Sequence, residues 1–227
     1  MRNVQIVTLF SVTVLAACDM PPAEVLDAPR VLALRSEPAE LAPGEAHTLT
    51  ALTFAVDAEL AWSFCQASWA PTEPPSCPTG ALALGLGNPL VATLPEDGWL
   101  LAAPVDASAL PAVKRVEAGT GADNPVVRAV TATSRAPEPG APIASVAPGA
   151  SLDVRAEVDG DPDRLVVSWY VTGGTLEPAR TLASEPATLV APSAASSEPL
   201  TIIAVVREKA GGTGWAEARL DVRPEVP

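Results

Sequence analysis

In the stretch Ser151-Leu152-Asp153-Val154-Arg155-Ala156-Glu157-Val158-Asp159, apolar and polar residues alternate without interruption. Successive side chains of a strand point to opposite faces, so the apolar residues share one face and the polar residues share the other. An antiparallel strand with one face buried and the other in water has this pattern. The stretch therefore predicts a β-sheet fold for this half of the chain.

The rest of the second half continues the pattern. Further strands are predicted at 165–171, 187–191, 200–207 and 215–222. The last two are joined by Gly211-Gly212-Thr213-Gly214, in which glycine supplies the positive φ angles of a tight hairpin turn. Several short strands joined by such turns favour an antiparallel sandwich.

The first half is less regular but has a similar beginning. Strands are predicted at 30–35, 48–56, 60–64, 82–94, 99–105 and 113–116. The segment 48–56 carries apolar residues on both faces, so the pattern leaves its inward face open. Pro43-Gly44 precedes Trp62, as Pro148-Gly149 precedes Trp169 at a similar distance. This weak internal repeat predicts two copies of one sandwich.

A longer motif makes the second copy recognisable. Val167-Ser168-Trp169-Tyr170-Val171-Thr172-Gly173-Gly174-Thr175-Leu176 places a strand tryptophan before a Gly-Gly-Thr turn, and Gly211-Gly212-Thr213 forms the tip of the final hairpin. This arrangement resembles the bacterial immunoglobulin-like modules related to PKD domains. The resemblance covers about residues 125–224 and implies a sandwich of about seven strands that serves as a spacer, adhesion or interaction unit.

The N-terminal region has the pattern of a bacterial lipoprotein. Leu15-Ala16-Ala17-Cys18 ends a short apolar stretch that follows Met1-Arg2. A peptidase that recognises this pattern cuts before the cysteine, whose sulfur carries a diacylglycerol. The apolar stretch is shorter than the ~20 residues of a membrane-spanning helix, so a cleaved secretory signal is predicted instead.

The expected organisation is all-β, with two tandem immunoglobulin-like antiparallel sandwiches. Residues 1–17 are the predicted lipoprotein signal peptide, and residues 18–29 are the lipidated cysteine and a proline-rich tether. Residues 30–122 form the first, irregular sandwich with a disulfide-stapled loop, and residues 123–227 form the second. The 25 prolines in 227 residues argue against long helices.

The charge of the chain limits its partners. Asp and Glu number 27 and Lys and Arg 14, a formal net charge of -13. Nucleic acid is therefore not an expected partner, because a phosphate backbone attracts basic proteins. An acidic protein also gains nothing from an anionic membrane surface, so membrane attachment is expected through the lipid at Cys18 alone.

The cysteine count agrees with export. Cys18 is the odd cysteine of three, which leaves Cys65 and Cys77 as a disulfide pair in an oxidising compartment. A zinc site is the competing interpretation, but these two cysteines and the single histidine, His47, do not make four ligands.

Candidate chemistry is sparse. His47 would need Ser63 or Ser68 to form a hydrolase site, but no Gly-x-Ser-x-Gly elbow presents a serine, and a surface histidine is the simpler interpretation. Asp159, Asp161 and Asp163 alternate as calcium ligands do, yet the glycine and glutamate expected later in an EF-hand loop are missing. A solvated acidic turn is the alternative there, and no cofactor is expected.

The five tryptophans fall into two groups. Trp62 and Trp169 lie within predicted strands and are expected in the two cores. Trp69, Trp99 and Trp215 lie near loops, where they could form a binding platform for glycans or proteins or pack at the domain junction.

We therefore expect a non-enzymatic, lipid-anchored protein of a Gram-negative cell envelope. Its location would be the inner or outer membrane, on the periplasmic or exposed side. It would serve as a structural spacer or as an interaction module for an unknown envelope protein or glycan. The alternatives are a calcium-dependent adhesin and an envelope hydrolase with an unrecognised site.

Overall fold

A computed structural model of the protein describes residues 24–66, 68, 77, 80–120, 122–134 and 145–223. The predicted signal peptide, Cys18 and Trp69 lie outside these residues. Within the described part of the chain, no helix has the length and apolar character needed to cross a membrane. Almost all regular structure is β-strand, and the only helical element described is the single 3₁₀ turn Pro162–Arg164.

Within the described residues, the first half forms a sandwich of seven strands. These are β1 (Arg30–Glu37), β2 (Ala46–Phe54), β3 (Leu60–Gln66), β4 (Leu82–Leu86), β5 (Leu90–Thr93), β6 (Gly98–Pro104) and β7 (Ala112–Val116). One sheet has the order β1-β2-β5 and the other β4-β3-β6-β7, and all neighbouring strands are antiparallel. The segment predicted as strand at 82–94 is divided between the two sheets.

The described part of the second half forms a sandwich of nine strands. These are β8 (Val127–Ser134), β9 (Ser145–Val146), β10 (Ser151–Val158), β11 (Leu165–Val171), β12 (Thr175–Glu177), β13 (Arg180–Leu182), β14 (Ala187–Val190), β15 (Leu200–Glu208) and β16 (Thr213–Val222). The sheets have the orders β12-β14-β10-β8 and β13-β11-β15-β16-β9. Two tandem immunoglobulin-like sandwiches are therefore present, as the sequence predicts.

The two predicted core tryptophans occupy equivalent positions. Trp62 on β3 and Trp169 on β11 are both almost completely buried within their own sandwich. Each indole N–H is satisfied, with Trp62 donating to the Gly87 carbonyl at 2.7 Å and Trp169 donating to Thr181 Oγ1 at 3.0 Å. The prediction that these residues lie in the cores is confirmed.

The predicted repeat also extends to the proline-glycine turns. Gly44 and Gly149 adopt φ angles of 82° and 74°, which glycine reaches without strain. Gly44 N–H donates to the Leu94 carbonyl, and Gly149 N–H donates to the Pro192 carbonyl. Each acceptor lies just after the corresponding strand, β5 or β14, so the same turn closes the same end of both sandwiches.

The two sandwiches pack against each other through the outer faces of their sheets. β1 and β2 contribute one apolar face to the first core and a second face to the junction, and β15 does the same in the second half. Ile202 lies in the core of the second sandwich, whereas its neighbour Ile203 lies in the junction. The buried junction residues are Leu26, Leu32, Ala33, Leu52, Ile203 and Val205, with Phe54, Tyr170 and Trp215 at their margin.

Polar contacts hold one end of this junction. Asn124 donates to the Ser36 carbonyl and to Glu37 Oε2, both at 2.8 Å, and its Oδ1 accepts from Thr213 N–H at 3.0 Å. The backbone approaches closely here, since a Cβ on Gly212 would meet the Asp123 carbonyl. One side chain of the connecting segment therefore links β1 to β16.

The opposite end is held by the segment that precedes β1. Leu26 N–H donates to the Val171 carbonyl at 2.8 Å, and Val171 N–H donates to the Glu24 carbonyl at 2.9 Å. The described part of the predicted tether, 24–29, thus pairs with the end of β11 in the second sandwich. Contacts at both ends of β1 place the two sandwiches side by side.

Ile202 and Ile203 offer a matched test of this packing. A buried, unpaired carboxylate costs about 3 to 5 kcal/mol, and Ile203→Asp can escape that cost if the sandwiches separate. We expect faster proteolysis of the 117–126 connection in Ile203→Asp, with both sandwiches surviving as resistant fragments. Ile202→Asp should instead cause digestion of the second sandwich. A connection as resistant in Ile203→Asp as in the wild type would contradict the junction.

Candidate functional site

His47 is a buried structural residue and not a surface histidine. It lies on the inward face of β2 with Leu49, and its exposed fraction is 0%. Its Nδ1 lies 3.0 Å from Ser36 Oγ, and its Nε2 accepts from Ala42 N–H at 3.3 Å. The interpretation as a surface histidine is therefore wrong, because the alternation of β2 directs this side chain beneath the loop that follows β1.

The hydrolase candidate is not assembled. The bonds that the structure gives His47 go to Ser36, Pro38 and Ala42, and neither Ser63 nor Ser68 is among these partners. Ser63 Oγ instead donates to Cys77 Sγ at 3.6 Å. The hydroxyl beside His47 is that of Ser36, and with exposed fractions of 0% and 1% the two side chains are closed off from solvent, so this pair is a polar node of the fold.

Cys65 and Cys77 are joined by a disulfide, with their Cα atoms 5.8 Å apart. Cys65 lies on β3 and is buried, although it is Trp62 and Phe64 of the same strand that enter the core of the sandwich. The bond connects β3 to the loop before β4, within one sheet. It does not cross between the sheets of the sandwich.

The carboxylates of Asp159 and Asp161 in the acidic turn bind different partners and do not converge on one metal position. Asp159 pairs with Arg128 at 2.6 Å, and Asp161 Oδ1 accepts from Asp163 N–H at 3.1 Å to cap the 3₁₀ turn. Across the described part of the chain, no three His, Cys, Asp or Glu side chains lie close enough together to hold a metal ion. The geometry thus gives the calcium interpretation no support.

Trp99 and Trp215 each pack against an arginine of the same molecule. Trp215 packs at the margin of the junction, and the Arg35 guanidinium lies 5.5 Å from its ring centroid. Trp99 is half-buried on β6 under the Arg115 guanidinium, at 5.6 Å. Each ring has one face covered by a cation, and Trp215 occupies the junction position that the sequence left as an alternative.

The junction also encloses a small cleft of about 220 Å³ lined by Lys114 and Arg207. The Lys114 ammonium donates to the Gly211 carbonyl and, at 3.1 Å, to Thr213 Oγ1. Arg207 donates to Ser168 Oγ at 3.0 Å and to the Leu32 carbonyl at 3.4 Å. Both cations are therefore committed to holding the sandwiches together.

The most distinctive exposed surface is one edge of the first sandwich, formed by β4 and β5. Each is the outermost strand of its sheet, and they are consecutive along the chain. Leu82, Leu86 and Val91 on these strands are each about half exposed or more. Leu86 pairs with Ala61 and Val91 pairs with Thr48, so these two side chains lie on the outer faces of different sheets and flank the edge. Their sequences, Leu-Ala-Leu-Gly-Leu and Leu-Val-Ala-Thr, contain no charged residue. We call this surface the β4–β5 edge.

The other edges differ in charge. Among the described strands, each remaining edge strand longer than two residues, namely β1, β7, β8, β12 and β13, carries at least one charged residue. Charges on an edge strand prevent it from associating with other chains. A bulge at Leu84 and the φ of 145° at Gly85 interrupt the ladder of β4, so its exposed side chains, rather than a regular row of backbone groups, form the surface.

The sequence predicts strand at 82–94, but its pattern does not reveal this surface. A largely apolar segment indicates a buried strand as readily as an exposed one, so periodicity could not separate the two. The available signal was the Gly87-Asn88-Pro89 turn, which divides the segment into two short strands, as is typical of strands at the edge of a sheet. The Asn88 side chain bonds to both backbone groups of Ala51 and fixes that turn.

The chain matches no protein-family model and no curated protein sequence. Solved structures with similarity include the tandem Ig repeats of Dlar, at 12% identity, 87% of this chain, 99% of that chain and a TM-score of 0.35. The N-terminal Ig1-2 module of the Drosophila receptor protein tyrosine phosphatase DLAR is 12% identical, covers 86% of this chain and 99% of that chain, and has a TM-score of 0.34. The structure of Dpr11 IG1 bound to DIP-gamma IG+IG2 is 10% identical, covers 86% of this chain and 98% of that chain, and has a TM-score of 0.29. At these scores the similarities carry no argument about partners.

Lys114 generates a pH-dependent prediction. Burial, with a smaller contribution from the charge of Arg207, lowers the pKa of Lys114 from 10.5 to about 8. The unfolded chain therefore retains this proton between about pH 8 and 10.5, where the folded protein has released it. Over that range the Lys114 contribution to the free energy of unfolding rises with pH, by at most about 1.4 kcal/mol per pH unit.

Urea unfolding at pH 7.5 and pH 10 measures this contribution. Lys114→Met should remove it, so the stability of wild type relative to the variant should increase with pH. Lys209→Met, which removes the lysine of the adjacent turn, is the charge-matched control and should preserve the wild-type pH dependence. If the stabilities of wild type and Lys114→Met change with pH in parallel, the folded environment does not shift the pKa of Lys114.

Proposed function

We propose that the protein is a non-enzymatic, lipid-anchored interaction module of the bacterial cell envelope, which binds a protein partner through the β4–β5 edge. The observation that carries the proposal is the uncharged edge itself. It exposes Leu82 and Leu86 on β4 and Val91 on β5, whereas the other longer edge strands of the described residues are charged. Exposed apolar surface of this kind marks sites of protein association.

The lipid anchor is supported by the N-terminal sequence. Leu15-Ala16-Ala17-Cys18 matches the lipoprotein processing pattern, and Cys18 is the cysteine that the Cys65–Cys77 bond leaves over. The net charge of -13 provides no electrostatic means of holding an anionic membrane. Membrane attachment in an envelope compartment therefore depends on the lipid.

An interaction role fits the geometry better than a spacer role. A spacer gains reach when its domains are joined end to end, whereas these two sandwiches share an apolar junction along the length of β1. The junction covers the outer face of β1 and β2, which leaves the β4–β5 edge as an apolar surface of the first sandwich open to a partner.

A protein partner is favoured over a glycan. Sugars are usually bound by an exposed aromatic ring face with polar groups around it. Trp99 and Trp215 are half-buried beneath arginines, whereas the residues of the β4–β5 edge are aliphatic. Aliphatic side chains recognise an apolar protein surface through burial from water.

Site-specific photocrosslinking in intact cells tests both parts of the proposal. A photoreactive residue at Leu86 should give a discrete crosslinked species in the membrane fraction. The same residue at Val126, an equally exposed aliphatic position outside the edge, should give none. In a Cys18→Ala background the protein should move to the soluble fraction. Equal crosslinking from both positions would contradict the role of the edge, and unchanged fractionation of Cys18→Ala would contradict the anchor.

A further inference from the structure

The segment between the predicted lipid and the folded protein is short. Cys18 and Glu24 are separated by six residue steps, so the lipid lies within roughly 20 Å of Glu24 even if the chain is fully extended. Glu24 is itself fixed, because its carbonyl accepts from Val171 N–H at 2.9 Å. Leu26, two residues later, is buried in the junction.

The attachment point defines two ends of the molecule. The anchor end contains 24–29, Val171 and the loop 105–111, because Leu110 N–H donates to the Pro29 carbonyl and Val31 N–H donates to the Leu110 carbonyl. The far end contains Asn124 and Val126. The eight residues of β1 run from one end to the other and span about 25 Å, which exceeds the reach of the tether.

Two aliphatic side chains are exposed at the anchor end. Val105 is 59% exposed and Leu110 is 55% exposed, and both lie on the loop that contacts 29–31. The loop is fixed to the body by Val105 N–H donating to the Glu59 carbonyl at 3.0 Å. Exposed aliphatic groups beside a lipid attachment point can enter the apolar boundary of a bilayer and add to the binding that the lipid supplies.

We infer that the anchor end faces the bilayer and that Val105 and Leu110 contact the lipid surface, while the far end at Val126 points away. This inference rests on the proposed lipidation of Cys18. Asp27, Asp57, Glu59 and Asp106 are exposed at the same end, because the turn after β2 and the loop 105–111 both adjoin the start of β1. Anionic lipid would repel these carboxylates, so the preferred surface is a neutral one. The contact is therefore held at the headgroup boundary and does not extend deeply into the bilayer.

The test uses the full lipidated protein in vesicles of neutral phosphatidylcholine. Leu110→Cys and Val126→Cys each receive a nitroxide label, and the two native positions match closely in exposure, at 55% and 57%. On vesicles, the label at Leu110 should collide severalfold less with a water-soluble relaxation agent than it does in the unlipidated Cys18→Ala background. The label at Val126 should show no such change.

The outcomes separate the orientation from the anchor. If the lipidated protein binds vesicles and both labels remain equally accessible, the inferred orientation is overturned while the anchor stands. If the wild-type chain binds no better than Cys18→Ala, the anchor is overturned, and the orientation with it. Protection of Leu110 alone, lost in Cys18→Ala, supports both.

Discussion

The structure depends on the burial of two sheet faces against each other. An isolated sandwich exposes the outer faces of its sheets to water. Here Leu32 and Leu52 of the first sandwich and Ile203 and Val205 of the second cover each other. Removing such aliphatic side chains from water is the main favourable contribution to packing. The polar contacts of Asn124 and Lys114 then set the register of an association that apolar contact alone would leave loosely specified.

This constraint organises the functional features. It orders 24–26, so the lipid would be attached beside the junction and not at the tip of an extended rod. It engages Trp215 and covers the outer face of β1 and β2. Among the described residues, the exposed aliphatic side chains of the first sandwich lie on β4, on β5 and on the loop 105–111. In the proposed function, the lipid and the β4–β5 edge would therefore serve attachment and recognition on one folded chain.

Much of the fold could be predicted because its strands obey local rules. The alternation of β10 and the burial of Trp62 and Trp169 each depend only on the core of one sandwich, and all three are as expected. The inward face of β2 could not be assigned, since Leu49 enters the first core while Leu52 enters the junction. Apolar residues on both faces of β1, β2 and β15 were the sequence signal for a second interface. His47 was misjudged because its burial depends on a loop that closes over the end of β2.

Small-angle X-ray scattering of the unlipidated chain beginning at Asp19 tests the side-by-side arrangement most directly. A compact body of this size has a radius of gyration of about 17 Å, and we predict a value close to it, with a single maximum in the distribution of interatomic distances. Ile203→Asp, measured beside it, should give a larger radius because its sandwiches separate. A wild-type chain with a distinctly larger radius and a second maximum at long distance would contradict the account.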